Sequence, residues 1–199
     1  MALGKTSLVA KPDRQRGPVY MPIEIEKKYR LTNEQRRAVE KVLRALGIKP
    51  RPIEFEENTL YRGGNLKPGN RALRLRRVKG RAILTFKERY PTKSSVKHQQ
   101  EYETGLGDAD TTHAILNALG FEVALIYEKR RRAWSVGKAE LVIDELPYGL
   151  FMEIEGPEKE ILRVEKRIGA ADFEAVNETY PSLTAKFGKK RKGIVEARF

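Results

Sequence analysis

Glu24-Ile25-Glu26-Lys27-Lys28 lies at the front of the first stretch of this 199-residue chain that reads as a β-strand, and its reading decides the fold. Side chains alternate along a strand, so Glu24, Glu26 and Lys28 project from one face and Ile25 and Lys27 from the other. Two carboxylates and an ammonium on one face suit a wet surface, and a short pattern of this kind recurs by chance. The same device returns strand after strand, however. Arg74 and Arg76 alternate with Leu73 and Leu75, and Thr85 and Lys87 alternate with Leu84 and Phe86. Glu101 and Glu103 flank Tyr102, Lys129 and Arg131 share a face, and Glu153 and Glu155 flank Ile154, with Asp144 ending the strand before them.

The segments around these strands read as short elements joined by turns. A strand over residues 22–30 leads into Thr32, which forms a capping-box signature with Gln35. Ala38, Val39, Val42, Leu43 and Leu46 then recur at helical spacing until Gly47. Strands are predicted over 53–61, 71–78, 81–89 and 98–104, the middle two forming a hairpin about Lys79-Gly80. Asp108 caps a short helix bearing Ala114, Ile115, Leu116 and Leu119. Further strands follow over 123–134, 139–146 and 150–156, with turns at Gly137 and at Pro147-Tyr148-Gly149. Residues 158–168 read as a helix ended by Gly169, residues 171–177 as a second helical piece, and Tyr180-Pro181-Ser182-Leu183 precedes a basic run. The count is eight strands, mostly antiparallel neighbours, with three or four helices and no internal linker. Residues 21–187 are therefore expected to form one domain between a basic arm (1–20) and a basic tail (188–199).

Two architectures accommodate charged strand faces. A sandwich makes each a solvent face. It accounts poorly for the sorting, with acids paired on some strands and bases on others. Eight strands are also enough to close a barrel around a polar lumen. In the barrel Ile23, Ile25, Leu73, Leu75, Leu84 and Phe86 face outward, where the amphipathic helices cover them.

Composition narrows the chemistry. The chain has no cysteine and only His98 and His113, which excludes a disulfide framework, a cysteine nucleophile and a multi-histidine metal site. Any metal is therefore held by oxygen, as magnesium, manganese and calcium are. The net charge is +13, and Lys5, Lys11, Arg14 and Arg16 at the front and Lys189, Lys190, Arg191, Lys192 and Arg198 at the end account for much of it. Such tails are usually solvated and sometimes hold RNA or acidic surfaces. No stretch approaches the ~20 apolar residues that span a membrane, and Ser7-Leu8-Val9-Ala10 is too short for the apolar region of a signal peptide. A cytoplasmic protein is the expectation.

A charged lumen would gather Lys28, Arg74, Arg76, Lys87, Lys129 and Arg131, which repel one another if alone. Glu24, Glu26, Glu101, Glu103, Asp144, Glu153 and Glu155 offset them and offer hard oxygen ligands. Together they describe a site for a polyanion and a divalent cation. Guanidinium forks match phosphate oxygens, lysine acts as a point charge, and carboxylates hold Mg2+ or Mn2+. Phosphoryl transfer needs mainly positioning and charge neutralisation, so no nucleophilic side chain is required.

The ordered set resembles the CYTH, or triphosphate tunnel metalloenzyme, superfamily, which includes class IV adenylyl cyclases, thiamine triphosphatases and inorganic triphosphatases. Glu24-Ile25-Glu26-Lys27-Lys28 matches its E-x-E-x-K signature. Leu73-Arg74-Leu75-Arg76, Leu84-Thr85-Phe86-Lys87, the Glu101/Glu103 pair, Lys129-Arg130-Arg131 and Asp144 through Glu153-Ile154-Glu155 follow in the family's order, over roughly residues 21–186. The resemblance implies an α+β fold: an eight-stranded antiparallel β-barrel, or tunnel, with covering helices. It implies metal ligands at Glu24, Glu26, Glu153 and Glu155 with an acid from the Glu101/Glu103 strand. Lys28, Arg74, Arg76, Lys87 and Arg131 (or Lys129 on the same face) would grip the triphosphate, Asp144 would assist at the metal or orient a base, and Lys186 would correspond to a late lysine that some members use. One departure is Gln99-Gln100, where family members often carry a base, which leaves open which of Glu101 and Glu103 binds metal.

Metal-dependent hydrolysis of an inorganic or organic triphosphate is the first expectation, because the polar faces account for a triphosphate grip and nothing in the sequence reads an adenine. A class IV adenylyl cyclase, making cyclic AMP and pyrophosphate from ATP, is the alternative. The third reading is a non-catalytic polyphosphate or RNA binder, with nucleic acid held through the basic tails. No membrane partner is expected, and the sequence leaves the oligomeric state open. His98 and His113 read as surface residues, Trp134 and Tyr127 as packing under a helix, Tyr180 and Ser182 as buttresses of the tunnel mouth, and the Gly63-Gly64 loop as a turn.

Overall fold

The computed structural model describes residues 23–66, 70–89 and 97–199; the side chains of residues 23, 24 and 97–99 lie outside that description. In chain order the elements are β1 (Ile23–Leu31), α1 (Asn33–Ala45), β2 (Glu54–Arg62), β3 (Arg71–Val78), β4 (Arg81–Arg89) and β5 (Lys97–Leu106). They continue with α2 (Ala109–Ala118), β6 (Glu122–Val136), β7 (Ala139–Leu146), β8 (Gly149–Glu155), α3 (Glu158–Arg167), α4 (Tyr180–Phe187), β9 (Lys189–Arg191) and β10 (Ile194–Ala197).

The strands run in the order β2-β3-β4-β5-β1-β8-β7-β6, and β6 pairs back onto β2 to close the ring. Every pairing in it is antiparallel. Closure leaves one wet interior and one outer face, so the period-two alternation puts charge inside and apolar side chains outside. Tyr29, Trp134, Leu141 and Ile154 pack outside the barrel against Val39 and Leu43 of α1 and Ile161 and Val164 of α3. Leu73 and Leu75, with Leu84 and Phe86 beside them, pack on Leu116 of α2.

Helix boundaries follow local chemistry. Thr32 and Gln35 form the reciprocal capping box that starts α1, and the Asp108 side chain accepts from the Thr111 amide to start α2. In α4 the Thr179 side chain caps the Ser182 amide, and Pro181 sits in the first turn, where its missing N–H costs nothing. Tyr180, Leu183 and Thr184 are its buried face, and Tyr180 reaches the lumen-facing rings of Tyr127 and Phe151.

Two expectations are corrected. Residues 171–177 are not helical: they run beside β1, with Arg30 N–H donating to Glu174 and Val176 N–H donating to Lys28. Residues 188–199 are not a loose tail. They fold as the β9–β10 hairpin, and β10 lies parallel to residues 125–127 of β6. The physical reason is a free edge: β7 pairs only with residues 130–136 of the fifteen-residue β6, leaving its first half open on that side. Arg198 then donates to Glu57 and Glu128 at 2.6 and 2.7 Å, pinning the segment to the outer wall. The basic arm, residues 1–20, lies outside the described residues.

Candidate active site

The barrel encloses a cavity of about 1290 Å³, and its wall is a chain of alternating charges. Lys28 Nζ lies 3.1 Å from Glu153, which accepts from Arg131 at 2.8 Å. Arg131 holds Asp144 with Nε and Nη2 at 2.7 and 2.6 Å. Asp144, fully buried, also accepts from Lys129 at 3.2 Å and from the Tyr180 hydroxyl at 2.9 Å. Lys129 lies 3.4 Å from Glu56, and Glu56 lies 3.2 Å from Arg76. Asn58 ties this pair together, accepting from Arg76 at 3.3 Å and donating to Glu56 at 3.4 Å. Elsewhere on the wall Lys87 meets Glu101 at 2.7 Å, and the Thr85 hydroxyl accepts from Arg74 at 3.2 Å and donates to Glu103 at 3.0 Å.

The bases are crowded. Burial and the Arg131 guanidinium push Lys129 down to about 8, although Asp144 and Glu56 pull the other way. Burial and the neighbouring Arg74 and Arg131 likewise lower Arg76. Arg74 Nε is buried with no hydrogen-bond acceptor among the described residues. A wall on which Lys129 and Arg76 are held below their ordinary pKa, and on which Arg74 has an orphaned donor, gains when an anion enters. Lys28, Arg74 and Arg131 go the other way: burial opposes their charge, but Glu153 and Glu26 raise Lys28, Tyr127, Glu56 and Glu101 raise Arg74, and Asp144, Glu56 and Glu153 raise Arg131.

Glu56 is 1% exposed, and while burial alone would raise its pKa, Lys129, Arg131 and Arg76 hold it down to about 2 against 4.5 for the free group. The folded state therefore binds this proton less tightly than the unfolded chain. Its stabilisation, on the order of 3 kcal/mol, is complete above pH 4.5 and drains away as the pH falls toward 2. Glu56→Gln should accordingly cost most near neutrality, with the gap to wild type narrowing by about 2 kcal/mol between pH 7 and pH 3 in denaturant titrations. Equal losses at both pH values would refute the ionised, triply paired carboxylate.

The structure gathers most of the expected residues. Lys28, Arg74, Arg76, Lys87, Lys129, Arg131, Glu26, Glu101, Glu103, Glu153 and Glu155 all line the cavity, and Asp144 lies directly beneath. Lys186 does not join them. It sits on the outer side of α4, its side chain 63% exposed and 3.8 Å from Glu178. Its place in the grip is a correction: helical periodicity turns it away from the buried Tyr180–Leu183–Thr184 face. The Glu24 side chain lies outside the described residues.

The carboxylates fall into two groups. Glu26 and Glu155 are register partners, and Glu155 is in turn the partner of Glu140, so three acids stand in a row across β1, β8 and β7. Directly opposed like charges destabilise a sheet, and a hard divalent cation relieves them. The donor set thus fits such an ion, though among the described residues no three acids already converge on one point. Arg51 holds Glu140, and Lys28 and Arg131 hold Glu153. Glu101 and Glu103 stand apart, on Lys87, Thr85 and Arg74; Glu101 lies four residues along β5 from Lys97, the partner of Glu26.

Sequence reasoning missed Glu56, Asn58 and Glu140; Tyr127 packs under a helix as expected, against Tyr180 and Leu183 of α4, but it also lines the cavity. Tyr127 is lumen-facing because it shares the period-two face of Lys129 and Arg131, a signal that was present in the sequence. Trp134 packs under α1 and α3 as expected, and His113 accepts or donates at 2.7 Å to the Tyr61 hydroxyl on the outer face.

Comparison with known proteins agrees with this geometry. The CYTH domain family matches residues 22–179, most of the chain. The chain belongs to the CYTH family. No curated protein matches this CYTH chain in sequence. Among solved structures, the PH1012 protein of Pyrococcus horikoshii superposes with a TM-score of 0.67 at 24% identity, covering 79% of this chain and 96% of that one. A candidate adenylate cyclase of Vibrio parahaemolyticus gives 0.63 at 19% identity, covering 82% and 98%. The Hippeastrum protein HpAC1, described as having a dominant triphosphatase activity, gives 0.64 at 17% identity, covering 82% and 95%. These likenesses establish the same fold for this CYTH chain.

Proposed function

We propose that this CYTH protein hydrolyses a triphosphate, inorganic or organic, with a divalent cation, in the cytoplasm. The observation that carries the reading is the convergence of Lys28, Arg74, Arg76, Lys87, Lys129 and Arg131 on one enclosed cavity. Six bases in one lumen match the charge of a triphosphate chain better than that of a monophosphate. The dominant triphosphatase activity described for HpAC1 supports the same direction.

In this reading Arg74, Arg76 and Lys87 hold one end of the phosphate chain, and Lys28 and Arg131 hold the other. Their charges neutralise the leaving phosphate as the P–O bond breaks, and water supplies the incoming oxygen. Glu26, Glu153 and Glu155, together with Glu24 of the E-x-E-x-K signature, would hold Mg2+ or Mn2+. An ion held by these residues would supply positive charge beside the phosphate chain and lower the pKa of a nearby water. Asp144 keeps Arg131 and Lys129 aimed into the lumen.

One observation favours a second reading. Leu60, Ala72, Leu125 and Tyr127 form an apolar stretch of the same cavity wall, which suits the organic end of a nucleoside triphosphate. In the cyclase reaction the ribose 3′-hydroxyl attacks the α-phosphate, its proton leaves, and pyrophosphate is expelled.

The deciding assay incubates the protein with tripolyphosphate, thiamine triphosphate or ATP and either metal, and scores orthophosphate, pyrophosphate and cyclic AMP. Orthophosphate without cyclic AMP is expected. Cyclic AMP with matching pyrophosphate would establish the cyclase, and silence on every substrate would leave a binding module. Within that assay Arg74→Ala should lower kcat/KM by roughly 10- to 100-fold, the worth of one or two charged hydrogen bonds. The unfolding midpoint should fall only modestly, because losing Arg74 removes its attraction to Glu56 and Glu101 but also its repulsion of Arg76.

A further inference from the structure

The β9–β10 hairpin lies beyond residue 179, where the family match ends, and plays no part in the tunnel chemistry. Lys189, Lys190, Arg191 and Lys192 are consecutive and exposed, and among the described residues none lies within ion-pair distance of a carboxylate. Lys189 and Arg191 face one side of the ribbon and Lys190 the other, so the strand is basic on both faces. The turn adds an independent sign. Lys192 has φ +47°, the only non-glycine residue with positive φ among those described, and it precedes Gly193 at φ +84°. Asparagine, aspartate or glycine occupies that position at least strain in a two-residue hairpin turn, so Lys192 stands there against the backbone preference.

Edge protection explains part of this, since lysine on an outermost strand deters sheet-to-sheet association. One charge is enough for that purpose, and edge protection does not account for the aromatics. Phe187 immediately precedes the hairpin and Phe199 follows it, 46% and 47% exposed, and Arg130 lies 4.0 Å from the centre of the Phe199 ring. Phosphate-neutralising bases beside exposed rings are the elements that hold a single strand through its backbone and stacked bases. The Arg198 clasp on Glu57 and Glu128 keeps the platform ordered before any ligand arrives.

We propose that the β9–β10 hairpin, with Phe187 and Phe199, is a docking surface for single-stranded nucleic acid. The site is separate from the tunnel, and the two stand or fall independently.

Fluorescence anisotropy of a labelled oligouridylate of roughly 20 nucleotides tests the proposal on the full chain. Four phosphate contacts predict a slope of log affinity against log salt of about −3. Replacing Lys189, Lys190, Arg191 and Lys192 with Gln should weaken binding by roughly 10-fold or more and flatten the slope. A control with Lys41, Lys159, Lys166 and Arg167 changed to Gln removes the same charge from exposed positions on and beside α1 and α3, and should bind nearly as wild type. Should the fourfold hairpin variant misfold, Lys192→Asn relieves the turn, is expected to be at least as stable, and should still weaken binding by roughly threefold. No binding by the wild type, equal losses in hairpin and control variants, or unaltered binding by Lys192→Asn would each overturn the proposal.

Discussion

Asp144→Asn is expected to destabilise the fold by about 3–5 kcal/mol, the range for removing one partner of a buried ion pair, and to lower Tm by roughly 10 °C. The carboxylate is fully buried and accepts from Arg131 twice, from Lys129 and from Tyr180. An amide keeps the shape and one acceptor, but its NH2 faces the Arg131 and Lys129 donors, and only the Tyr180 hydroxyl can turn to accept from it. The two buried cations are then left to Glu56 and Glu153 alone. Their mutual repulsion, which already lowers Lys129, goes less opposed. Turnover should fall with stability, because Arg131 loses the two bonds that aim it. A denaturant midpoint within about 1 kcal/mol of wild type would mean that the network is not the tunnel's keystone.

Glu155→Gln should have the opposite signature: turnover falls by roughly 10²–10³-fold, the several kcal/mol that a bound cation supplies, while stability holds. Glu155 is exposed to the lumen and stands in register between Glu26 and Glu140. Removing the middle charge of three acids relieves repulsion, so the unfolding midpoint should stay level or rise by a few tenths of a kcal/mol. The loss should be partly recovered at high Mg2+ or Mn2+ if Glu26 and its neighbours retain weak affinity. Full activity in this variant would remove the acid row from the metal site. Comparing the two variants separates a residue that holds the wall together from one that the wall exists to present.

Much of the barrel was legible because its signal is local. Lys28, Arg74, Arg76, Lys87, Lys129 and Arg131 each sit in an alternating strand, where a face is assigned by counting by two. Glu56 was missed for an equally local reason. Glu54, Glu56 and Glu57 crowd one short stretch, so alternation there picks no face. The pairing of Glu56 with Lys129 across β2 and β6 makes the choice. Glu140 was invisible for the same reason, since only its register with Glu155 brings it to the acid row. Lys186 failed by its period. It belongs to a helix whose buried face is set by Tyr180, and a motif position says nothing about which way that helix turns.

The sequence alone determined the strand count of the ring, the sorting of acids from bases and the exclusion of cysteine chemistry and of a multi-histidine metal site, because composition and alternation are properties of neighbouring residues. Tertiary structure decided which charges meet. Barrel closure through β2 and β6 buries Glu56 among three cations, β8 brings Glu155 between two other acids, and the free half-edge of β6 draws a basic tail into a strand. Each depends on register between segments far apart in the chain, and a single strand's pattern contains no information about its partner's offset.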